Sequence, residues 1–127
     1  MKIQPDHFYV SVGDMDRAIR FYEGLLGVKI RHREGDTWAD FDHGTGYYLG
    51  LINPNIIDSK RIIGNNAIPV FFTDNVDEAY KRIKVLGAKI SHEISTLNYT
   101  DYFYRTFLCE DSEGNLIEIA QYDRNAT

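Results

Sequence analysis

The apolar positions along the chain first alternate and then recur at helical spacing. Residues 7–12 alternate in the order HFYVSV, the period-two pattern of a strand with one buried face. From Asp14 to Gly27 the apolar residues fall three or four positions apart, which predicts an amphipathic helix. Its apolar members are Ile19, Tyr22, Leu25 and Leu26. Three strand-like segments follow, at 28–34, 36–42 and 46–52.

The second half of the chain repeats this order. Five residues recur 60 positions later, Asp14, Leu26, Gly27, Lys29 and Ile30 as Asp74, Leu86, Gly87, Lys89 and Ile90. Asp14 and Asp74 are predicted N-caps, because a carboxylate there accepts backbone N–H bonds at the positive end of the helix dipole. Gly27 and Gly87 are predicted to end the helices in a left-handed conformation. The second helix has an apolar face of Ala79, Ile83 and Leu86, and the later strands are predicted at 88–94, 102–110 and 115–122.

The repeat predicts an α+β fold of two tandem βαβββ modules. We expect a single domain over residues 1–127, with the two modules forming a curved mixed sheet that has its helices on the outer face. The other face of such a sheet would line a cavity, which forms either within one chain or between the two chains of a dimer. The expected parts are module one at about 1–53, a linker at about 54–65, module two at about 66–122 and a polar tail at 123–127.

Composition narrows the classes of function. With 127 residues, of which 43% are hydrophobic, the chain can bury a genuine core. Its net charge of −5 provides no basic surface for nucleic acid or for anionic lipid. A single cysteine, Cys109, suits a reducing compartment, and no apolar segment resembles a signal peptide or membrane span. We therefore expect a cytoplasmic protein without nucleic-acid or membrane partners.

His7 and Glu118 are the candidate catalytic or metal-binding residues. Strand alternation puts His7 on the face opposite Phe8 and Val10, and Glu118 on the face opposite its apolar neighbours Ile117 and Ile119. Both would then point into the cavity, where an imidazole and a carboxylate can share a proton. The pair is either catalytic or metal-binding, or a residual ion pair that only orients side chains.

Aromatic residues form the candidate ligand site. The alternation TWADFD puts Trp38 and Asp40 on one face and Ala39 and Phe41 on the other, which makes Trp38 the leading candidate. Aromatic walls with polar tips suit a planar or amphipathic ligand. The alternative is that these rings fill the core or a dimer interface. The other candidates are Tyr9, Tyr47, Tyr99, Tyr102 and Tyr104.

The remaining reactive residues are expected to have structural or surface roles. His92 and Glu93 are consecutive in a predicted strand, so they should point to opposite faces. Cys109 is expected to be a buried apolar residue, because the neighbouring carboxylates of Glu110 and Asp111 disfavour its thiolate. His32 and His43 stand among polar residues and are expected at the surface.

Two motifs resemble the vicinal oxygen chelate superfamily, which includes glyoxalase I, bleomycin-resistance proteins, fosfomycin-resistance enzymes and extradiol dioxygenases. The first is His7-x-x-x-x-Val12-x-Asp14-x-x-x-Ala18-x-x-Phe21-Tyr22-x-x-x-Leu26-Gly27. The second is Glu110-Asp111-x-x-Gly114-Asn115-x-Ile117-Glu118. The resemblance extends from about Lys2 to Tyr122 and implies the paired βαβββ fold.

The resemblance also implies four metal-ligand positions, one on the first and one on the last strand of each module. His7 and Glu118 occupy two of them. The other two positions hold side chains that cannot ligate a divalent cation, Leu49 or Gly50 in module one and Ile68 or Ala67 in module two. We therefore expect an incomplete metal site and no cofactor. The alternative is a loosely bound Zn, Ni, Mn or Fe on His7 and Glu118.

Three functional hypotheses follow. The preferred one is a homodimer that binds a small organic ligand in an aromatic-lined cavity, similar to the bleomycin-resistance branch. The second is a lyase or isomerase resembling glyoxalase I, in which His7 and Glu118 hold a metal or act as general acid and base. The third is a scaffold whose cavity is filled by its own side chains. Whether the chain is an enzyme stays open at this point.

Overall fold

A computed structural model describes residues 1–2, 6–42, 44, 47–54, 68–98 and 103–122. The chain divides into two compact units, unit one at Met1–Gly64 and unit two at Asn65–Thr127. Tyr99, Tyr102, His43, the predicted tail and most of the predicted linker lie outside the described residues.

Unit one is a four-stranded sheet with one helix. Its elements are β1 (His7–Ser11), α1 (Met15–Leu26), β2 (His32–Glu34), β3 (Trp38–Asp42) and β4 (Tyr48–Ile52). The strand order is β1-β4-β3-β2, and β1 runs parallel to β4 while the other neighbours are antiparallel. The sheet is therefore mixed.

Helix α1 packs on β3 and β4 and closes the core of unit one. It begins at Asp14, whose carboxylate accepts a hydrogen bond from the Arg17 backbone N–H at 3.0 Å. It ends at Gly27, which has a φ of 71°, a conformation that is costly for a residue with a Cβ. The buried side chains are Val10, Met15, Ala18, Ile19, Phe21, Tyr22, Leu25, Ala39, Phe41, Leu49 and Leu51.

Unit two repeats the arrangement. Its elements are β5 (Val70–Phe72), α2 (Val76–Val85), β6 (Ile90–Asn98), β7 (Phe103–Glu110) and β8 (Leu116–Tyr122). The strand order is β5-β8-β7-β6, with β5 parallel to β8 and the other pairs antiparallel. The buried side chains include Val76, Ile83, Phe107, Cys109, Ile117 and Ile119.

The predicted N-cap of the second helix was wrong by one residue. Asn75, not Asp74, caps α2, and its side-chain oxygen accepts from the Glu78 N–H at 3.1 Å. Thr73 helps to position the cap, because its hydroxyl oxygen accepts from the Asn75 N–H at 3.1 Å. The next helical N–H, that of Val76, donates to the Gln121 side chain. The second helix therefore begins one residue later in the repeat than the first.

The turn between β7 and β8 explains one of the sequence motifs. Asp111 is buried, and its Oδ1 accepts from the backbone N–H groups of Glu113 at 2.9 Å and Asn115 at 2.8 Å. Its Oδ2 accepts from the Asn115 side chain at 3.0 Å. Gly114 has a φ of 85°, which favours glycine. This part of the motif therefore holds a hairpin together.

Strand β6 lies at the end of its sheet and pairs irregularly with β7. The register shifts between Ile90 and His92 and again between His92 and Ser95. Such shifts mark β-bulges or similar irregularities, which bend and twist a strand. Regular pairing resumes at Ser95 and continues to Asn98.

The predicted fold class is confirmed as two four-stranded mixed sheets, each with one helix. Element limits differ at several strands. Residues 28–31 are not extended strand, so β2 comprises only His32–Glu34, whereas β6 continues to Asn98 beyond the predicted end at 94. No helix in the described part of the chain is long and apolar enough to span a membrane.

Asn75→Ala should destabilise the protein by about 1 kcal/mol, because an orphan helix N–H would lose its side-chain acceptor. The matched variant Asp74→Ala should change stability by no more than about 0.5 kcal/mol, since Asp74 contributes only a charge near the helix dipole. Urea unfolding of both variants measures the difference. Equal losses, or a larger loss for Asp74→Ala, would contradict the assigned cap.

Candidate functional site

The face of unit one opposite α1 carries the predicted aromatic residues. His7 pairs with Tyr48, and Tyr9 pairs with Gly50. On the other side of β4, Asp40 pairs with Gly50 and Trp38 pairs with Ile52. Because directly paired residues point to the same side of a sheet, His7, Tyr9, Trp38 and Asp40 share one face, as alternation predicts.

A buried carboxylate organises this face. Asp40 is 1% exposed and accepts from Arg31 through two bonds, Nε to Oδ1 at 2.7 Å and Nη2 to Oδ2 at 2.8 Å. The indole N–H of Trp38 donates to the same Oδ2 at 2.8 Å. The hydrogen bonds with Asp40 raise the pKa of Arg31. Burying a carboxylate requires such partners, so Asp40 holds both side chains in place.

Tyr48 connects Arg31 to His7. The Arg31 guanidinium carbon lies 4.9 Å from the centre of the Tyr48 ring, and the His7 ring stacks on Tyr48 at 4.6 Å with planes 4° apart. The Tyr48 hydroxyl donates to Asp6 at 3.4 Å, and His7 Nδ1 lies 2.6 Å from the same carboxylate oxygen. Desolvation, with the charge of Asp6, raises the pKa of Tyr48. The His7 side chain remains 31% exposed.

Trp38 lies directly on Gly50. A Cβ at position 50 would stand 2.1 Å from Cη2 of the Trp38 ring, far inside van der Waals contact. The ring meets His7 edge-on at 5.8 Å and Tyr9 at 5.8 Å. The glycine is therefore required by the position of the indole.

The corresponding face of unit two is built around Glu118. Val70 and Leu108 flank Glu118 in the sheet, which places all three on the face opposite α2. Glu118 Oε2 accepts from the Tyr104 hydroxyl at 2.6 Å and from the Thr106 hydroxyl at 3.0 Å. Both donors are neutral. The carboxylate is thus oriented by hydroxyl groups in unit two, whereas Asp40 is neutralised by an arginine in unit one.

Alignment of the two units on their helix caps decides which positions correspond. Tyr9 precedes its cap, Asp14, by the same number of residues as Val70 precedes Asn75. Tyr9 pairs with Gly50 and Val70 pairs with Glu118. Gly50, rather than Leu49, is therefore the counterpart of Glu118. By the same count Ile68, rather than Ala67, is the counterpart of His7.

Equivalent positions in the two units carry side chains that differ in size and charge. Trp38 and Thr106 correspond, because each lies two residues before the partner of Gly50 or Glu118 on the neighbouring strand. Unit one places a large ring over a glycine, whereas unit two places a small hydroxyl beside a carboxylate. The indole of Trp38 therefore lies over the position from which a carboxylate projects in unit two.

A family model described as "Glyoxalase/Bleomycin resistance protein/Dioxygenase superfamily" matches residues 4–119. The chain belongs to this superfamily.

Several proteins are similar to this chain over nearly its whole length. Uncharacterized protein YwbC of Bacillus subtilis (strain 168) is 29% identical over 126 residues, covering 91% of this chain and 95% of YwbC. A virulence protein from Salmonella typhimurium has a TM-score of 0.72 and 23% identity, covering 97% of this chain and 99% of its own. A lactoylglutathione lyase from Agrobacterium tumefaciens has a TM-score of 0.69 and 20% identity, covering 95% of each chain. The two structural likenesses establish the fold alone.

The metal positions implied by the superfamily can be compared with the residues present. By strand register the counterparts of Glu118 and His7 in the other unit are Gly50 and Ile68, whose side chains carry no ligating atom. In the described part of the chain, no group of three or more His, Cys, Asp or Glu side chains is placed to hold a metal ion. His7 and Glu118 are each described within their own unit, and their roles stay predictions.

The remaining candidate residues divide between site and surface. Tyr9 and Tyr104 lie on the faces opposite the helices, whereas Tyr47 is 52% exposed just before β4. Tyr102 lies outside the described residues. Sequence reasoning missed Asp6, Arg31 and Tyr48. Alternation along β4 offered a signal for Tyr48, because it is in phase with Gly50.

Other predicted placements agree with the structure. Glu93 accepts from the Tyr80 hydroxyl of α2 at 2.6 Å, so it faces the helix, and His92 pairs with Leu108 on the opposite face. His32 contacts Glu34 at 2.7 Å in exposed surroundings. Cys109 is fully buried, and desolvation, with the charges of the following two carboxylates, raises its pKa to about 12. Its thiol is therefore not a nucleophile near neutral pH.

Gly50→Ala should destabilise the protein by about 1–3 kcal/mol, because the added Cβ must displace the Trp38 ring. The same substitution in a Trp38→Leu background should cost less than about 1 kcal/mol, since the smaller side chain removes the clash. A double-mutant cycle by urea unfolding measures this coupling. Additive losses would show that the indole does not rest on Gly50.

Proposed function

We propose that the chain is a small-molecule-binding protein that holds a planar organic ligand against the aromatic face of unit one. The observation that supports this most is the fixed orientation of Trp38, whose indole is hydrogen-bonded to buried Asp40 and rests on Gly50. Tyr9, His7 and Tyr48 surround it. Rigid rings lose little conformational entropy on binding, so they make an effective ligand surface.

Exposure and polarity favour a ligand site over simple core filling. The rings of Trp38, Tyr9 and Tyr48 are only partly covered within the described structure, unlike the fully buried residues on the α1 side. The half-exposed imidazole of His7 adds a polar group at the edge of the rings. Tyr47, Tyr102 and Tyr104 are proposed as further contacts of the ligand.

The proposal includes binding without a metal centre. Gly50 offers no ligating atom, and the space above it is occupied by the Trp38 ring. A carboxylate could enter there only if the indole moved away from Asp40, to which it donates a hydrogen bond. The position of the Trp38 ring therefore requires a glycine at position 50, and that glycine provides no metal ligand.

We further propose that the protein acts as a cytoplasmic homodimer. Large apolar side chains outside the proposed ligand contacts remain exposed on the single chain, at Phe8, Val85, Leu97 and Phe103. Association with a second copy would remove some of this apolar surface from water.

A ligand of the proposed type should quench or shift the emission of Trp38, the single tryptophan of the chain, and raise the melting temperature. We expect a shift of about 10 °C at a ligand concentration 100 times Kd. The screen should contain planar aromatic cations, anions and neutral compounds. If no compound changes the Trp38 emission or the melting temperature, the proposal is wrong.

The matched control for a Trp38 variant is Phe8, an exposed aromatic residue on β1. Trp38→Leu should weaken binding of any hit about tenfold, because stacking on the indole is lost. Phe8→Leu removes a partly exposed ring on the opposite face and should leave affinity within about twofold. Isothermal titration calorimetry distinguishes the two outcomes, and a larger effect of Phe8→Leu would place the ligand on the other face.

A glyoxalase-like lyase or isomerase is the second candidate, and one contact favours it. Asp6 lies 2.6 Å from His7 Nδ1, so a proton held between them leaves Nε2 as an acceptor. This orientation suits a general base or a metal ligand. Glu118, oriented by Tyr104 and Thr106, would be the partner carboxylate of such a site.

Elemental analysis of protein purified without chelators separates the two candidates. We expect less than about 0.1 equivalent of Zn, Ni, Mn or Fe per chain, because two ligating side chains bind a divalent cation weakly. The alternative predicts about one metal per site, lost in His7→Ala and retained in the surface variant His32→Ala. That pattern would favour the enzyme over the metal-free binding protein.

A further inference from the structure

The carboxylate of Glu118 differs from several other covered carboxylates in having no cationic partner among the described residues. Asp40 pairs with Arg31, Glu110 with Lys89 and Glu23 with Lys29. In the described part of the chain, Glu118 contacts only the hydroxyl groups of Tyr104 and Thr106. Its negative charge is therefore oriented but not neutralised.

The hydrogen bonds on Glu118 leave one oxygen available. The Tyr104 hydroxyl donates to Oε2, and the Thr106 hydroxyl shares its one proton between Oε2 at 3.0 Å and the Ile119 carbonyl oxygen at 2.9 Å. Oε1 accepts no hydrogen bond from the described residues. Glu118 is only partly buried, and Oε1 is not a fully buried atom. A carboxylate held by two neutral donors with one open oxygen is suited to receive a cationic donor.

The surroundings of Glu118 are apolar and aromatic. Val70, its direct partner on β5, is 49% exposed, and Phe72 on the same face is 42% exposed. The Tyr104 and Tyr122 rings stack at 5.5 Å, and Phe72 meets Tyr122 edge-on at 5.5 Å. Ring faces attract organic cations. A hydrated metal ion would gain nothing from these rings, whereas an alkyl- or arylammonium group would contact them.

We propose that the face of unit two opposite α2 binds an organic cation, with its ammonium group on Glu118 and its apolar part against Phe72, Tyr104 and Tyr122. Charge complementarity selects this occupant over a neutral or anionic one. The inference goes beyond the proposed function, because it assigns a ligand of stated charge to unit two, whereas the face that carries Trp38 belongs to unit one.

The test uses three probes of similar size and different charge, benzylammonium, benzyl alcohol and benzoate. Calorimetric titration of the full chain should show the ammonium binding about five- to tenfold more tightly than the alcohol, with benzoate weakest. This comparison on the unaltered protein needs no variant. Equal affinity for the ammonium and the alcohol would overturn the inference.

Glu118→Gln should weaken ammonium binding about fivefold and leave binding of benzyl alcohol unchanged, because the amide keeps the shape and removes the charge. Glu93→Gln is the matched control, since Glu93 also accepts from a tyrosine hydroxyl at 2.6 Å but faces the helix. Tyr104→Phe removes one hydroxyl donor, retains the charge of Glu118 and should reduce ammonium affinity by less than Glu118→Gln. Unchanged affinity in Glu118→Gln would contradict the proposed anchor.

Three further outcomes separate this inference from the broader proposal. If benzyl alcohol or benzoate changes Trp38 emission and the ammonium does not bind, the ligand-binding function stands and the cation site is wrong. If Zn²⁺ alone binds to the chain and is lost in Glu118→Gln, while the ammonium does not bind, Glu118 is a metal ligand. If no probe of any charge binds, the inference fails, and the proposed function is decided separately by the panel of planar compounds read through Trp38.

Discussion

The burial of Asp40 is the constraint on which the site in unit one depends. A carboxylate that is 1% exposed is tolerated only when its oxygens are satisfied, and here Arg31 and the Trp38 indole satisfy them. Arg31 in turn lies over Tyr48, and Tyr48 stacks on His7. One buried charge therefore determines the positions of several partly exposed rings that would otherwise have many rotamers.

The secondary structure of this protein was largely predictable from its sequence, because the same patterns of apolar alternation and helix capping occur in both halves. The alternation around Trp38 correctly placed Ala39 and Phe41 toward the helix, and Gly27 ended α1 as expected. The second N-cap was mistaken because identity at an offset of 60 favoured Asp74. The structure instead uses Asn75, whose side chain makes the cap hydrogen bond.

The candidate site was less predictable, since its main contacts join residues from different elements. Arg31 precedes a short strand and looks like an ordinary surface charge until Asp40 is found beside it. Asp6 adjoins His7 in sequence, yet only the structure shows that Asp6 lies within hydrogen-bonding distance of both His7 and Tyr48. Whether the two faces form one cavity, as the sequence suggested, stays a prediction. The equivalence of Gly50 and Glu118 emerges only from strand register, which propensity cannot supply.

The irregular pairing of β6 has a consequence for how copies of this chain behave at high concentration. A long strand at the end of a sheet is a template onto which another extended chain can add, and this is how many proteins begin to aggregate. The displaced registers at His92 and Ser95 bend and twist β6, and a bent strand is a poorer template for an added chain. Growth of the sheet along β6 is thus discouraged by backbone geometry, in a strand that contains no proline.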